Sequence, residues 1–141
     1  MNPVVRNVLA VLAGVVIGSI VNMALVMAGP SVIPPPPGAD VTTMEGLTRS
    51  LHLFEPRHFL FPFLAHALGT LAGAAVTALL AASRKRGLAL VIGVVFLAGG
   101  VANTFMLPGP MWFNVLDMVG AYLPMAWIGG RLAVGRTVAR G

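Results

Sequence analysis

The sequence predicts an all-α membrane protein: a bundle of four transmembrane helices with both termini on the cytoplasmic side, and a long outer loop carrying a short amphipathic helix. Three observations lead there. Hydrophobic residues make up 57% of the 141 positions and charged residues only 9%, against about 25% charged in an average soluble domain. Apolar stretches at 8–28, 59–82, 88–107 and 111–134 each reach the ~20 residues that a helix needs to cross ~30 Å of hydrocarbon. The basic residues, finally, gather at one end of those stretches.

The first helix is expected over about 4–29. Arg6 ahead of it and small residues at its close also fit a secretory signal. Its apolar run, however, exceeds the roughly 7–15 residues of a signal core, and it carries Ala10, Gly14, Gly18 and Asn22 at every fourth position. The second helix, over 59–82, repeats the device with Ala65, Gly69, Gly73, Thr77 and Ala81. The third is expected over 88–107 and the fourth over 111–134, both glycine-containing. Inside lipid a backbone must satisfy its own hydrogen bonds, so such stretches are helical. Small residues let helices approach closely there, so the stripes are expected to face neighbours, within the chain or in a homo-oligomer. One membrane domain spans 1–141.

Orientation follows from Lys and Arg, which are retained on the cytoplasmic side. Arg6, Arg84, Lys85, Arg86, Arg131, Arg136 and Arg140 lie on one side, and Arg49 and Arg57 on the other. Both termini are therefore expected inside, in a bacterial inner membrane. This distribution accounts for the net charge of +5 without a nucleic-acid partner, and the lipid bilayer is the expected one. The acids Asp40, Glu45, Glu55 and Asp117 all fall in the outer half. The absence of cysteine excludes disulfides, thiolate metal sites and thiol redox chemistry.

In the outer loop, about 30–58, the prolines at 34–37 favour a stiff polyproline II spacer. Thr42 and Glu45 offer a capping box, and Met44, Leu47, Leu51 and Phe54 follow at helical spacing. A short amphipathic helix on the membrane face is expected, ended by Pro56; an irregular loop is the alternative. Asn22 before Gly29-Pro30 is echoed by Asn103 before Gly109-Pro110, and His66-x-x-Gly69 by Asp117-x-x-Gly120. Duplicated hairpins and chance similarity between glycine-rich helices both account for it.

Asn22, His66, Asn103, Asn114 and Asp117 form a polar layer within about 5–11 Å of the outer helix ends at ~1.5 Å per residue. A charge at the bilayer centre costs about 2.5–3.5 kcal/mol and less toward the interface. Asp117 is therefore expected to face the bundle or a wet cleft, with His66 as its partner and the three asparagines completing a ligand-binding layer. Interhelical glue, worth about 0.6 kcal/mol per group, is the bland alternative. Above the layer, His52, Glu55 and His58 are of types that suit zinc or another divalent ion. No His-Glu-x-x-His is present, and Pro56 interrupts any helix aligning His52 with His58, so neither a metal site nor a cofactor is expected. Trp112 and Trp127 fit an aromatic belt and Arg131 can snorkel to headgroups; like Tyr122, they require no ligand.

The stretches HLFEPRHFLFPFLAHALGT (52–70) and NVLDMVGAYLPMAWIGG (114–130) resemble uncharacterised small four-helix bacterial integral membrane proteins. That resemblance implies the fold and carries no activity. Fluoride channels and small multidrug transporters have polar patterns absent here, since the first helix holds no acid. Quinone-linked thiol oxidoreductases need cysteines. Three functions stay open: an outward-facing pocket binding or transporting a small ligand, ion or lipid headgroup; a metal-dependent or acid–base membrane enzyme at the outer interface; and a structural partner of another membrane protein. No residue is assigned a catalytic role.

Overall fold

The computed structural model describes residues 1–138; Arg140, one of the basic residues weighed for orientation, lies outside them. Regular structure among the described residues is helical: α1 (Pro3–Val32), α2 (Met44–Ser50), α3 (Leu60–Leu80), α4 (Lys85–Met106), α5 (Met111–Gly120) and α6 (Leu123–Val138), with 3-10 turns at Leu51–Leu53 and Pro56–Phe59. Three segments are long and apolar enough to cross a membrane: Pro3–Val32, Pro56–Leu80 and Lys85–Met106. Val8, Leu12, Val16, Ile20, Met23 and Met27 of α1 stand exposed, as a helix face solvated by lipid tails would.

The centre of the bundle is α3, which packs against α1, α4 and α6, while α1 and α4 touch only slightly. Its two small faces explain the position. Gly69 and Gly73 meet Gly18 and Gly14 of α1 so closely that a methyl at Gly73 would sit 2.6 Å from the Gly14 carbonyl oxygen. One turn further, the Thr77 hydroxyl donates to the Ala10 carbonyl at 3.2 Å. The small-residue stripes of the two helices are thus used on each other. The adjoining face, Ala74 and Ala78, joins Ala89 and Ile92 of α4 and Ala126 and Ala133 of α6 in a buried cluster.

At the end where α3 turns into α4, the first turns of α1 close the carbonyl end of α3. Asn7 Oδ1 accepts from the Ala82 amide at 2.9 Å, Asn7 Nδ2 donates to Ser83 Oγ at 3.0 Å, and Arg6 Nε donates to the Leu80 carbonyl at 2.8 Å. Groups left unpaired at a helix C-terminus are satisfied by such donors. This is called the turn end below, and the opposite one the loop end.

The segment expected as one helix over 111–134 is two. The first piece ends at Gly120 and the second starts at Leu123, with Ala121 and Tyr122 fully buried between them. Pro124 gives the reason. It has no amide to offer the Gly120 carbonyl four residues back, and its ring crowds that carbonyl. At 10 and 16 residues, neither piece alone reaches the ~20 residues of a crossing. α6 packs against α3 and α4, whereas α5 lies largely outside them.

The loop after α1 does contain the short helix, but its cap is displaced by one residue. Thr43 caps α2, its hydroxyl accepting from the Gly46 amide at 2.9 Å. Thr42 instead binds Asp40: its hydroxyl donates at 2.6 Å and its amide at 3.0 Å to Asp40 Oδ1. The Asp40 carboxylate fills the space beside Gly46, where a Cβ would collide with it. Glu45, the expected reciprocal partner, pairs at 3.7 Å with exposed Arg49. Leu47 and Phe54 turn inward over the loop end, beside Val26 of α1 and Phe61 of α3; Met44 and Leu53 stay exposed.

Candidate functional site

His66 and Asp117 meet where α3 passes α5. His66 Nδ1 lies 2.8 Å from Asp117 Oδ1 and 2.9 Å from Oδ2. The Tyr122 hydroxyl donates to Asp117 Oδ2 at 2.8 Å, and the Tyr122 ring stacks on the imidazole at 5.7 Å between centroids. A carboxylate accepting from both neighbours needs the His66 proton on Nδ1, which leaves Nε2 as the open nitrogen. No group among the described residues bonds Nε2. Asp117 is 6% exposed and Tyr122 2%, so this carboxylate is reached only through its two donors.

Local structure sets this geometry. The break after Gly120 turns Tyr122 back toward Asp117, five residues earlier, which a straight helix would carry to another face. On the other side Gly100 of α4 leaves room for the phenol, because any side chain there would collide with the Tyr122 hydroxyl. The Thr70 hydroxyl donates to the His66 carbonyl at 2.7 Å within α3.

The imidazole forms one wall of a cavity of about 250 Å³ between α1 and α4, whose polar lining also includes Ser19, Asn22, Asn103 and Tyr122. Gly99 and Gly100 keep the α4 side low. Asn22 Oδ1 is buried without a hydrogen-bond partner. A buried acceptor of this kind costs about 1–3 kcal/mol when nothing pairs with it, so the cavity wall carries an unmet need for a donor.

Of the residues the sequence proposes for the layer, His66 and Asp117 are bonded, and Asn22 and Asn103 line the same cavity. Asn114 is elsewhere: its amide donates to the Gly109 carbonyl at 3.2 Å and closes the α4–α5 turn. His52, Glu55 and His58 do not converge. His52 Nδ1 bonds the Arg49 carbonyl at 2.8 Å, Glu55 pairs with Arg57 at 3.0 Å, and His58 Nδ1 accepts from the Glu55 amide at 2.9 Å. Among the described residues no group of three or more His, Asp or Glu stands close enough to hold a metal ion. Tyr122 and Ser19 are the site residues that the sequence reading passed over. Tyr122 carried a signal, as the only tyrosine of the chain, two residues before a proline in an apolar stretch. Arg131 lies over the Trp127 ring at 4.9 Å, a cation–π contact that holds it at that ring.

Chemically, an imidazole backed by a carboxylate offers Nε2 as a hydrogen-bond acceptor or proton acceptor. Asp117 compensates any positive charge that arrives. In comparisons with protein-family models, curated proteins and solved structures, the chain matches none.

Proposed function

We propose that this chain is a single-domain bacterial inner-membrane protein with cytoplasmic termini, and that α5 and α6 together make its fourth crossing. Its working site is the cavity beside His66, which takes up a small polar ligand, an ion such as a proton, or a lipid headgroup from the outer side. The bonded pair His66–Asp117 at 2.8 Å, with its free nitrogen beside a cavity, carries this reading. An intramembrane ionisable group without a function is rare because of its insertion cost.

Size narrows the occupant. A cavity of about 250 Å³ falls just under the ~300–1,000 Å³ usual for drug-sized ligands. The amide of Asn22 and Nε2 of His66 would bind it, with Asn103 and Ser19 at the rim, while Asp117 and Tyr122 act as positioning residues through the imidazole. The α1 and α3 stripes are spent within the chain, which removes them as docking surfaces for a partner.

Native mass spectrometry of the purified protein, paired with proton flux into liposomes, tests the proposal. The expected result is one bound small species, or a flux above that of empty liposomes, lost in His66→Ala and Asn22→Ala variants that melt like the wild type. Neither bound species nor flux in the wild type, or full retention in both variants, overturns it.

A further inference from the structure

A second cavity, of about 280 Å³, lies at the loop end, between the last turns of α1, the start of α3 and the loop. Its walls are almost wholly apolar, from Val26, Ile33, Leu47, Phe54 and Phe61, and one wall is the ring of His58. His58 is 9% exposed, and its Nε2 is buried with no hydrogen-bond partner. The tautomer follows from the other nitrogen. The Glu55 amide donates to Nδ1 at 2.9 Å, so Nδ1 holds the lone pair and the ring proton sits on Nε2. The cavity thus combines apolar walls with one orphaned donor, and a buried donor left unpaired is costly.

We propose that this cavity is a binding site for a lipid acyl chain, whose carbonyl or carboxylate oxygen accepts the His58 Nε2–H bond while the hydrocarbon fills the space between Val26, Leu47 and Phe61. Apolar walls select the chain and the single donor selects an oxygen acceptor at its head. Water is a poor occupant, since it needs two to four polar partners and the lining is almost wholly apolar. The site is separate from the His66 cavity and does not depend on that cavity having a function. Its ligand comes either from a bilayer phospholipid ester or from a free fatty acid.

The test is titration of the full-length protein in detergent with palmitate, dipalmitoyl phosphatidylethanolamine and hexadecane, read by native mass spectrometry. One equivalent of a palmitoyl compound is expected to bind, with hexadecane, which lacks an acceptor, at least about tenfold weaker. Preference for palmitate assigns the free acid as source; preference for the phospholipid assigns the bilayer ester. His58→Phe is expected to weaken the palmitoyl compound about tenfold and leave hexadecane unchanged. Val26→Trp fills the cavity from α1 without touching His58 chemistry, and it is expected to abolish binding; it decides the matter if His58→Phe does not fold. Binding unaffected by Val26→Trp, hexadecane binding as tightly as palmitate, or no palmitoyl compound bound at all overturns the proposal.

Discussion

His66 of α3 and Asp117 of α5 stand 51 positions apart in the chain and share a hydrogen bond of 2.8 Å. The bond ties α5, which otherwise makes few contacts with the bundle, to its central helix. Truncating Asp117→Ala leaves the His66 and Tyr122 donors without an acceptor, and each such buried group costs about 1–3 kcal/mol. Asp117→Asn keeps an acceptor for His66 and can donate to the Tyr122 oxygen. Thermal or denaturant unfolding in detergent should therefore show a large loss for the alanine variant and a much smaller one for the asparagine variant. Equal losses would mean that the carboxylate is not held as described.

Tyr122→Phe removes one donor from Asp117 and leaves the ring stacked on His66. A hydrogen bond to a charged group contributes about 1.5–3 kcal/mol, and a drop of that order is expected in the same unfolding assay. Gly100→Ala should mimic it, because the added methyl occupies the place of the Tyr122 hydroxyl.

The α1–α3 crossing gives a contrast within one residue type. Gly73→Ala would place a methyl 2.6 Å from the Gly14 carbonyl oxygen, and overpacking of this kind costs about 1–3 kcal/mol. A methyl at Gly99 meets nothing within 4 Å, so Gly99→Ala should leave stability unchanged or slightly raised. Melting temperatures of the two variants check the pair directly.

Asp40 lies outside the three segments long and apolar enough to cross a membrane, and its carboxyl is held below its ordinary value of 3.8, first by the Thr42 hydroxyl, then by the Thr42 amide and more weakly by Arg49. With the folded value depressed, its contribution is complete above pH 3.8 and drains away as pH falls through the folded value. Hydrogen exchange at the Thr42 and Gly46 amides should accelerate over that acid range. Asp40→Asn should flatten the pH dependence.

Much of the fold was legible because helices able to cross a membrane stand out by length and apolarity, and three segments of the chain meet both conditions. The small stripes of α1 and α3 showed which faces meet. The pairing of His66 with Asp117 was also readable, since a charge in an apolar helix needs a partner and His66 was the one ionisable group expected at its level. Two features were hidden by local chemistry. Pro124 reads as a tolerated residue in an apolar stretch, yet it splits the segment and turns Tyr122 toward Asp117. Thr42 and Thr43 are equivalent cap residues in sequence, and only the tertiary placement of Asp40 beside Gly46 decides between them. Asn114 had the right depth for the layer but lies at the α4–α5 turn, where the nearest acceptor is the Gly109 carbonyl.

Orientation can be checked cleanly because the chain has no cysteine. A membrane-impermeant maleimide applied to intact spheroplasts should label Val41→Cys and spare Ala82→Cys, and inverted vesicles should show the reverse. Labelling of both from one side would require an even number of crossings between them and would contradict the orientation.

The most direct measurement of the central claim is solid-state nitrogen NMR of histidine-labelled protein in bilayers. A proton on His66 Nδ1, Nε2 in exchange contact with water, and an Nε2 resonance displaced by Asp117→Asn are the results predicted. A His66 Nε2 that is dry and unmoved by Asp117→Asn would contradict the account, leaving the pair as packing between helices rather than a site.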